Sequence, residues 1–155
     1  ADAFVTTGVP VRNGAVLAAA PSAYAAAPAG RPVLDLFAED PHPGSGLDLW
    51  MRRLACYYQL RHDLPVPGRC LGPHGAPPQE AAERALRAAL LDGDDPRPVL
   101  AALDVGAVAV HLDLFRPEER RRVLAGLLAA YPAPRVTTDG GETVALFVVD
   151  PAAAP

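Results

Sequence analysis

The sequence predicts an α/β domain: a small mixed β-sheet with helices packed on it, ending in an antiparallel β-hairpin. Three observations predict it. Short apolar runs bounded by turn residues, "RPVLDLF" and "AVAVHL", read as buried strands. Amphipathic segments with Pro at the start and Gly after the end read as helices between them. The closing "RVTTDGGETVALFVVD" reads as two strands about a tight turn.

Taken in order, residues 1–32 form an Ala-, Pro- and Gly-rich N-terminal segment with short elements, 33–150 form the α/β domain, and 151–155 a tail. "AFVTTGVPV" holds a short strand, and "PSAYAAAPAG" a one- or two-turn helix started by Pro21 and stopped by Gly30. "RPVLDLF" holds the first strand of the domain, and Asp35 stands out in "VLDLF" as the one polar residue of an apolar run. It reads as a buried acid paired with an Arg, Arg53 being one candidate, and a structural ion pair explains it as well as catalysis does. "LDLWMRRLACYYQLRH" is a helix apolar on two sides, with Leu47, Trp50, Met51, Leu54 and Tyr58 on one and Leu49, Cys56 and Leu60 on the other. "PPQEAAERALRAALLDG" is a helix with Glu80–Arg84 and Glu83–Arg87 at i,i+4, and Gly93 ends it. A short helix capped by Asp95 with Pro96 at N1 precedes the strand "AVAVHL". The last helix has Pro117 at N1, Glu118 and Glu119 against the dipole, and Val123, Leu124, Leu127, Leu128 and Tyr131 as its inward stripe. The unit "VAVHL–helix–RVTTD" reads as a right-handed βαβ crossover, after which the chain turns back at Asp139-Gly140-Gly141-Glu142.

Composition excludes several classes. At 155 residues and 50% hydrophobic the chain builds a core. Its net charge of -4 is spread along the chain and leaves no clustered basic face for nucleic acid. All 14 basic residues are Arg, which with the abundant Ala and Pro reads as GC-rich coding. No apolar run reaches the length of about 18 residues that a membrane helix needs. The "ADAF" start without Met and the "DPAAAP" end read as cuts from something longer.

The only cysteines, Cys56 and Cys70, bracket "YYQLRHDLPVPGR". A zinc site would recruit His62 and His74 at C-x5-H-x7-C-x3-H, a spacing unlike the close ligand pairs of structural zinc. A Cys56–His62 catalytic pair would sit about 240° apart round a helix. A disulfide fits better: Cys56 faces away from the core stripe, and the chain from Asp63 to Cys70 spans about 23 Å, enough to return along ~9 Å of helix. Such a bridge would add on the order of 3 kcal/mol and imply an oxidising compartment; two separate buried thiols are the alternative. His111, at a strand end where α/β folds place ligands, could line a cleft with Asp35, Tyr58 and His62, or serve as a hydrogen-bonding cap. "ERRRV" reads as a solvated helix face, and "DGGE" lacks the Lys and following helix of a phosphate loop. No cofactor or metal motif is present, and no catalytic residue can be assigned.

"PVLDL", "YYQLRHDLPV", "LDVGAVAVH" and "DGGETVALFVV" follow one another in an order that resembles the soluble, C-terminal extracytoplasmic domain of polytopic bacterial membrane proteins of the GT-C-like glycosyltransferase type. The matching positions are Val33 to Leu36, Tyr57-Tyr58-Gln59, His62, Pro65, Gly106 and Val108 to His111, across about residues 20–150. Phe37 departs from the usual Pro, and Cys70 lies where small residues are common. The resemblance implies a non-catalytic accessory domain outside a bacterial membrane, because the catalytic acids of such proteins lie in loops of the membrane portion. Its implied partners are the membrane-embedded remainder of the parent chain and a lipid-linked sugar or protein acceptor. Two other readings stand beside it: a small standalone cytoplasmic α/β enzyme using the histidine-lined cleft, and a protein-interaction module.

Overall fold

The computed structural model describes residues 11–12, 15–16, 20–37 and 77–149, with side-chain surroundings for 20–37 and 84–149. Two short strands, β1 (Val11–Arg12) and β2 (Ala15–Val16), pair antiparallel with each other. The domain proper is a mixed four-stranded sheet. β3 (Val33–Leu36) pairs parallel with β4 (Ala107–His111), β4 antiparallel with β6 (Glu142–Val148), and β6 antiparallel with β5 (Arg135–Asp139), in the order β3-β4-β6-β5. Among the described residues three helices accompany it, α1 (Pro77–Asp92), α2 (Arg97–Leu103) and α3 (Pro117–Ala130), with α1 packed on the other two. The α/β class, the mixed sheet and the closing antiparallel strands are as the sequence predicts.

β4 and β5 run parallel and are joined through α3, as a βαβ unit requires, but β6 lies between them. The hairpin explains the insertion. A two-residue turn forces β6 to lie beside β5, and β6 is the apolar strand of the pair, "ETVALFV" against "RVTTD". The apolar strand takes the central place and the threonine strand the edge.

Period-2 alternation sends β-strand residues to two faces with different covers. Leu34, Leu36, Val108, Val110, Ala145 and Phe147 pack under the helices against Leu86, Leu90, Leu100, Val123 and Leu127. Val33, Ala107, Ala109, Val144 and Leu146 form the other face, covered by Ala23 and Tyr24 of a 3-10 turn at Ser22–Ala26 and by Phe37. Ser22 fixes that turn to the sheet edge by donating its N–H and its hydroxyl to Asp139 Oδ2 at 2.7 and 2.9 Å, and the Ala23 N–H donates to Thr137 Oγ1 at 3.1 Å.

Two helix features depart from the sequence reading. Leu128, placed in the inward stripe of α3, is 41% exposed, while Val123 and Leu127 are fully buried. The stripe is narrower than five residues because α3 covers the sheet beside α1 instead of lying over it alone. Asp95 accepts the Arg97 N–H at 3.0 Å, the capping role expected of it, although α2 begins one residue later than Pro96 predicts. The expected helix through 47–62 and both cysteines lie outside the described residues.

Gly106 marks a close approach of chain to chain. Its N–H donates to the Pro32 carbonyl and its own carbonyl accepts from the Val149 N–H, both at 2.8 Å, which leads both strands into register. An added Cβ there would lie 2.3 Å from Arg31 Cβ. We therefore expect Gly106→Ala to cost about 1–3 kcal/mol of stability through overpacking. Urea denaturation of the variant against the parent measures it, and an unchanged midpoint would show that the β3 entry can yield.

Candidate functional site

The second face of the sheet is apolar at one end and polar at the other. His111 ends β4 in phase with Ala107 and Ala109, Asp35 on β3 is in phase with Val33, and Glu142 opens β6 in phase with Val144 and Leu146. Alternation therefore carries all three polar side chains to one face, at one end. The turn fixes the third of them. Gly140 and Gly141 have φ of 58° and 82°, the pair of positive values that a two-residue type I′ hairpin demands. That turn sets Asp139 opposite Glu142 and puts Glu142 next to the His111–Val144 pair.

The result is a buried cluster centred on His111. Its Nδ1 lies 2.6 Å from Glu142 Oε1 and its Nε2 lies 2.9 Å from Asp35 Oδ1. The Tyr24 hydroxyl donates to the same Asp35 Oδ1 and lies 3.3 Å from His111 Nε2. The Phe37 ring stacks on the imidazole at a centroid distance of 4.4 Å and an angle of 23°. The side chains of His111, Asp35 and Glu142 are 0%, 2% and 6% exposed. Asp35 is half-buried as a whole residue, because its main chain lies on the edge strand β3 while its carboxyl group points inward.

Both ring nitrogens face carboxyl oxygens, and a neutral imidazole has one N–H to offer. The geometry therefore calls for the imidazolium. Burial pulls the His111 pKa down, but the hydrogen bonds it donates to Asp35 and Glu142, with their charges, outweigh it and raise the value to about 9. Asp35 Oδ2 is buried and has no hydrogen-bond partner among the described residues. Arg87, expected to pair along its own helix, donates from its guanidinium to the Phe37 carbonyl just past the end of β3. Asp113 accepts the Thr143 N–H at 2.6 Å, which holds the turn after β4 against the start of β6.

Of the four residues expected to line a cleft, Asp35 and His111 are brought together, and Tyr58 and His62 lie outside the described residues, as does Arg53. Among the described residues the charged partner of Asp35 is the His111 ring. Tyr24 and Glu142 were not anticipated. Glu142 had a signal: it stands in phase with the inward-facing Val144 and Leu146 of a strand. Tyr24 had a fainter one, as the sole bulky residue in an Ala-rich run. Among the described residues no group of His, Cys, Asp and Glu is arranged to hold a metal ion, and no helix is long and apolar enough to cross a membrane.

The cluster makes stability depend on pH in a defined direction. A folded-state pKa raised above 6.5 adds stability that is complete below pH 6.5 and is lost as pH rises through about 9. We expect stability from chemical denaturation to fall by on the order of 3 kcal/mol between pH 6.5 and pH 9.5. His111→Gln should remove most of that slope and cost about 3–5 kcal/mol at pH 7, since it leaves buried carboxyl groups without their cation. Proton and nitrogen NMR of the His111 ring at pH 7.5 should show both nitrogens protonated; a single N–H there would overturn the imidazolium assignment.

No family model, no curated protein and no solved structure matches this chain.

Proposed function

We propose that the chain is a non-catalytic accessory domain on the extracytoplasmic side of a larger bacterial membrane protein of the GT-C-like glycosyltransferase type. The observation that carries this reading is the closure of the His111 cluster. A catalytic acid, base or nucleophile must reach a substrate atom at hydrogen-bond distance. Here the imidazole has no exposed surface, and its two nitrogens are engaged by Glu142 and Asp35. Of the polar groups that the sequence offers for catalysis, the two among the described residues, Asp35 and His111, are committed to each other, as in a core that specifies its own packing.

The resemblance supports the same reading. Its described positions, Val33 to Leu36, Gly106 and Val108 to His111, fall on the two neighbouring parallel strands β3 and β4 and on the close approach that leads into them. In this role the domain holds a lipid-linked sugar or a protein acceptor near the membrane portion, or contacts another subunit, and its surface does the binding. Cys56 and Cys70 would be bonded in that compartment.

A standalone enzyme is the second reading, and the buried Asp35 Oδ2, without a partner among the described residues, is what favours it, since an unsatisfied carboxylate oxygen often marks a working site.

The coding sequence upstream of Ala1 tests the first reading. Several stretches of about 20 apolar residues are expected there; a start codon or a simple signal peptide directly upstream would overturn it. In the parent protein, His111→Gln is expected to lower the amount of folded protein while leaving glycosyl transfer per folded molecule within about threefold. A loss of 100-fold or more per folded molecule, the scale of a removed general acid or base, would favour the enzyme instead.

A further inference from the structure

The two edges of the sheet differ. On β3, Val33, Leu34 and Leu36 are no more than 2% exposed. On β5, residues 135, 136, 138 and 139 are exposed and Thr137 is half-buried, with Val136 at 55%. The paired register of β5 with β6 is unbroken from Arg135 to Asp139, so no bulge twists this edge away. Outside that pairing, no main-chain group of 135–139 is hydrogen-bonded among the described residues. Such an edge is a template for another strand, and the usual safeguards are a Pro or a charge at the middle of the strand, a bulge, or a cover. Within "RVTTD" the charges stand only at the two ends.

Those end charges are of opposite sign and symmetric about Thr137. When two copies of β5 are laid antiparallel about a two-fold axis at Thr137, Arg135 of each falls opposite Asp139 of the other, Val136 opposite Thr138, and Thr137 opposite itself. Directly opposite residues of an antiparallel pair share a face. Arg135 and Asp139 are both in phase with Thr137, on the sheet face covered by the 3-10 turn, so each pair of opposite charges meets on one side. Asp139 is already held in place: Ser22 donates to its Oδ2 through both N–H and hydroxyl, and these bonds lower its pKa and keep it charged. A parallel arrangement would set Arg135 beside Arg135 and Asp139 beside Asp139, which is repulsive. The charges thus select the antiparallel, two-fold pairing. That pairing uses one edge per copy, and with β3 as buried as it is, assembly stops at two.

We propose that β5 is a self-association edge, at which two copies of this chain join antiparallel about Thr137 into a continuous eight-stranded sheet. The inference stands apart from the accessory-domain reading and does not depend on it.

Sedimentation velocity on the 155-residue chain, from roughly 10 µM to 1 mM at low ionic strength where surface charges are least screened, reads it directly. A reversible monomer–dimer equilibrium is expected. Arg135→Glu and Asp139→Arg should each abolish or weaken self-association by about tenfold or more. Mixed together they should form a heterodimer, because Glu at 135 then meets Arg at 139, and Asp139 still meets Arg135. Val136→Lys, which leaves the Ser22–Asp139 bonds intact, should weaken the dimer by a similar factor. A chain that stays monomeric throughout overturns the proposal. So does a dimer indifferent to Val136→Lys, or a mixture of folded charge variants, checked by thermal melting, that fails to associate while the parent chain does.

Discussion

A single buried imidazolium ties the second face of this sheet together. His111 ends the central strand β4, Asp35 comes from β3, Glu142 from β6 and Tyr24 from the 3-10 turn that lies across them. An isolated buried charge is costly, and a paired one is tolerable only with good geometry and satisfied hydrogen bonds. Here one cation meets two acids, and the Tyr24 hydroxyl donates to the oxygen of Asp35 that also faces the ring. The remaining cost falls on Asp35 Oδ2, which has no such donor among the described residues. Against an apolar cluster of the same volume, this arrangement adds little net stability. What it adds is specificity.

That specificity has a concrete form. Side-chain direction in a strand has period 2, so a one-residue slip of β6 would turn Glu142 to the helix-covered face and leave His111 with one acid fewer. The same slip would put Thr143 where Val144 now packs. An apolar face alone penalises the slip by exposure; a buried cation penalises it by losing a counter-charge. The two-glycine turn works to the same end, since it sets the β5–β6 register before the sheet closes. At the other end of this face Gly106 lets Arg31 and Pro28 come close to β4. Close approach at one end and charge pairing at the other hold residues 20–27 to the sheet.

Local features of the chain made most of the fold legible. Pro117 with Glu118 and Glu119, Pro77 with Gly93, and the Asp139–Glu142 turn each mark an element boundary through interactions within a few residues. Asp35 and His111 were legible as unusual, because a polar residue in an apolar strand has to be explained. Their pairing was not, since Asp35 and His111 are 76 positions apart and nothing local states that their strands are neighbours. Tyr24 was harder still, because its role depends on a turn crossing the sheet face opposite the helices. The place of β6 between β4 and β5 follows from comparing the two hairpin strands for apolarity, a comparison of elements and not a property of either. Leu128 misled for the complementary reason: a helical stripe says which side faces inward but not how wide the neighbouring helix leaves it.

The distribution of polar chemistry bears on what the domain can do. Among the described residues His111, Asp35 and Glu142 are drawn inward and matched to one another, while the surface carries exposed pairs such as Arg121–Glu118 and Arg31–Asp104. Exposed pairs of this kind contribute little to stability and are free to be exchanged for contacts with a partner. The exposed edge of β5 carries main-chain groups that no described residue engages, and its Asp139 is oriented by the same 3-10 turn whose Tyr24 reaches Asp35. Through that turn the buried cluster and the exposed edge are linked: the charge arrangement that fixes residues 20–27 on the sheet also presents the carboxylate at the rim.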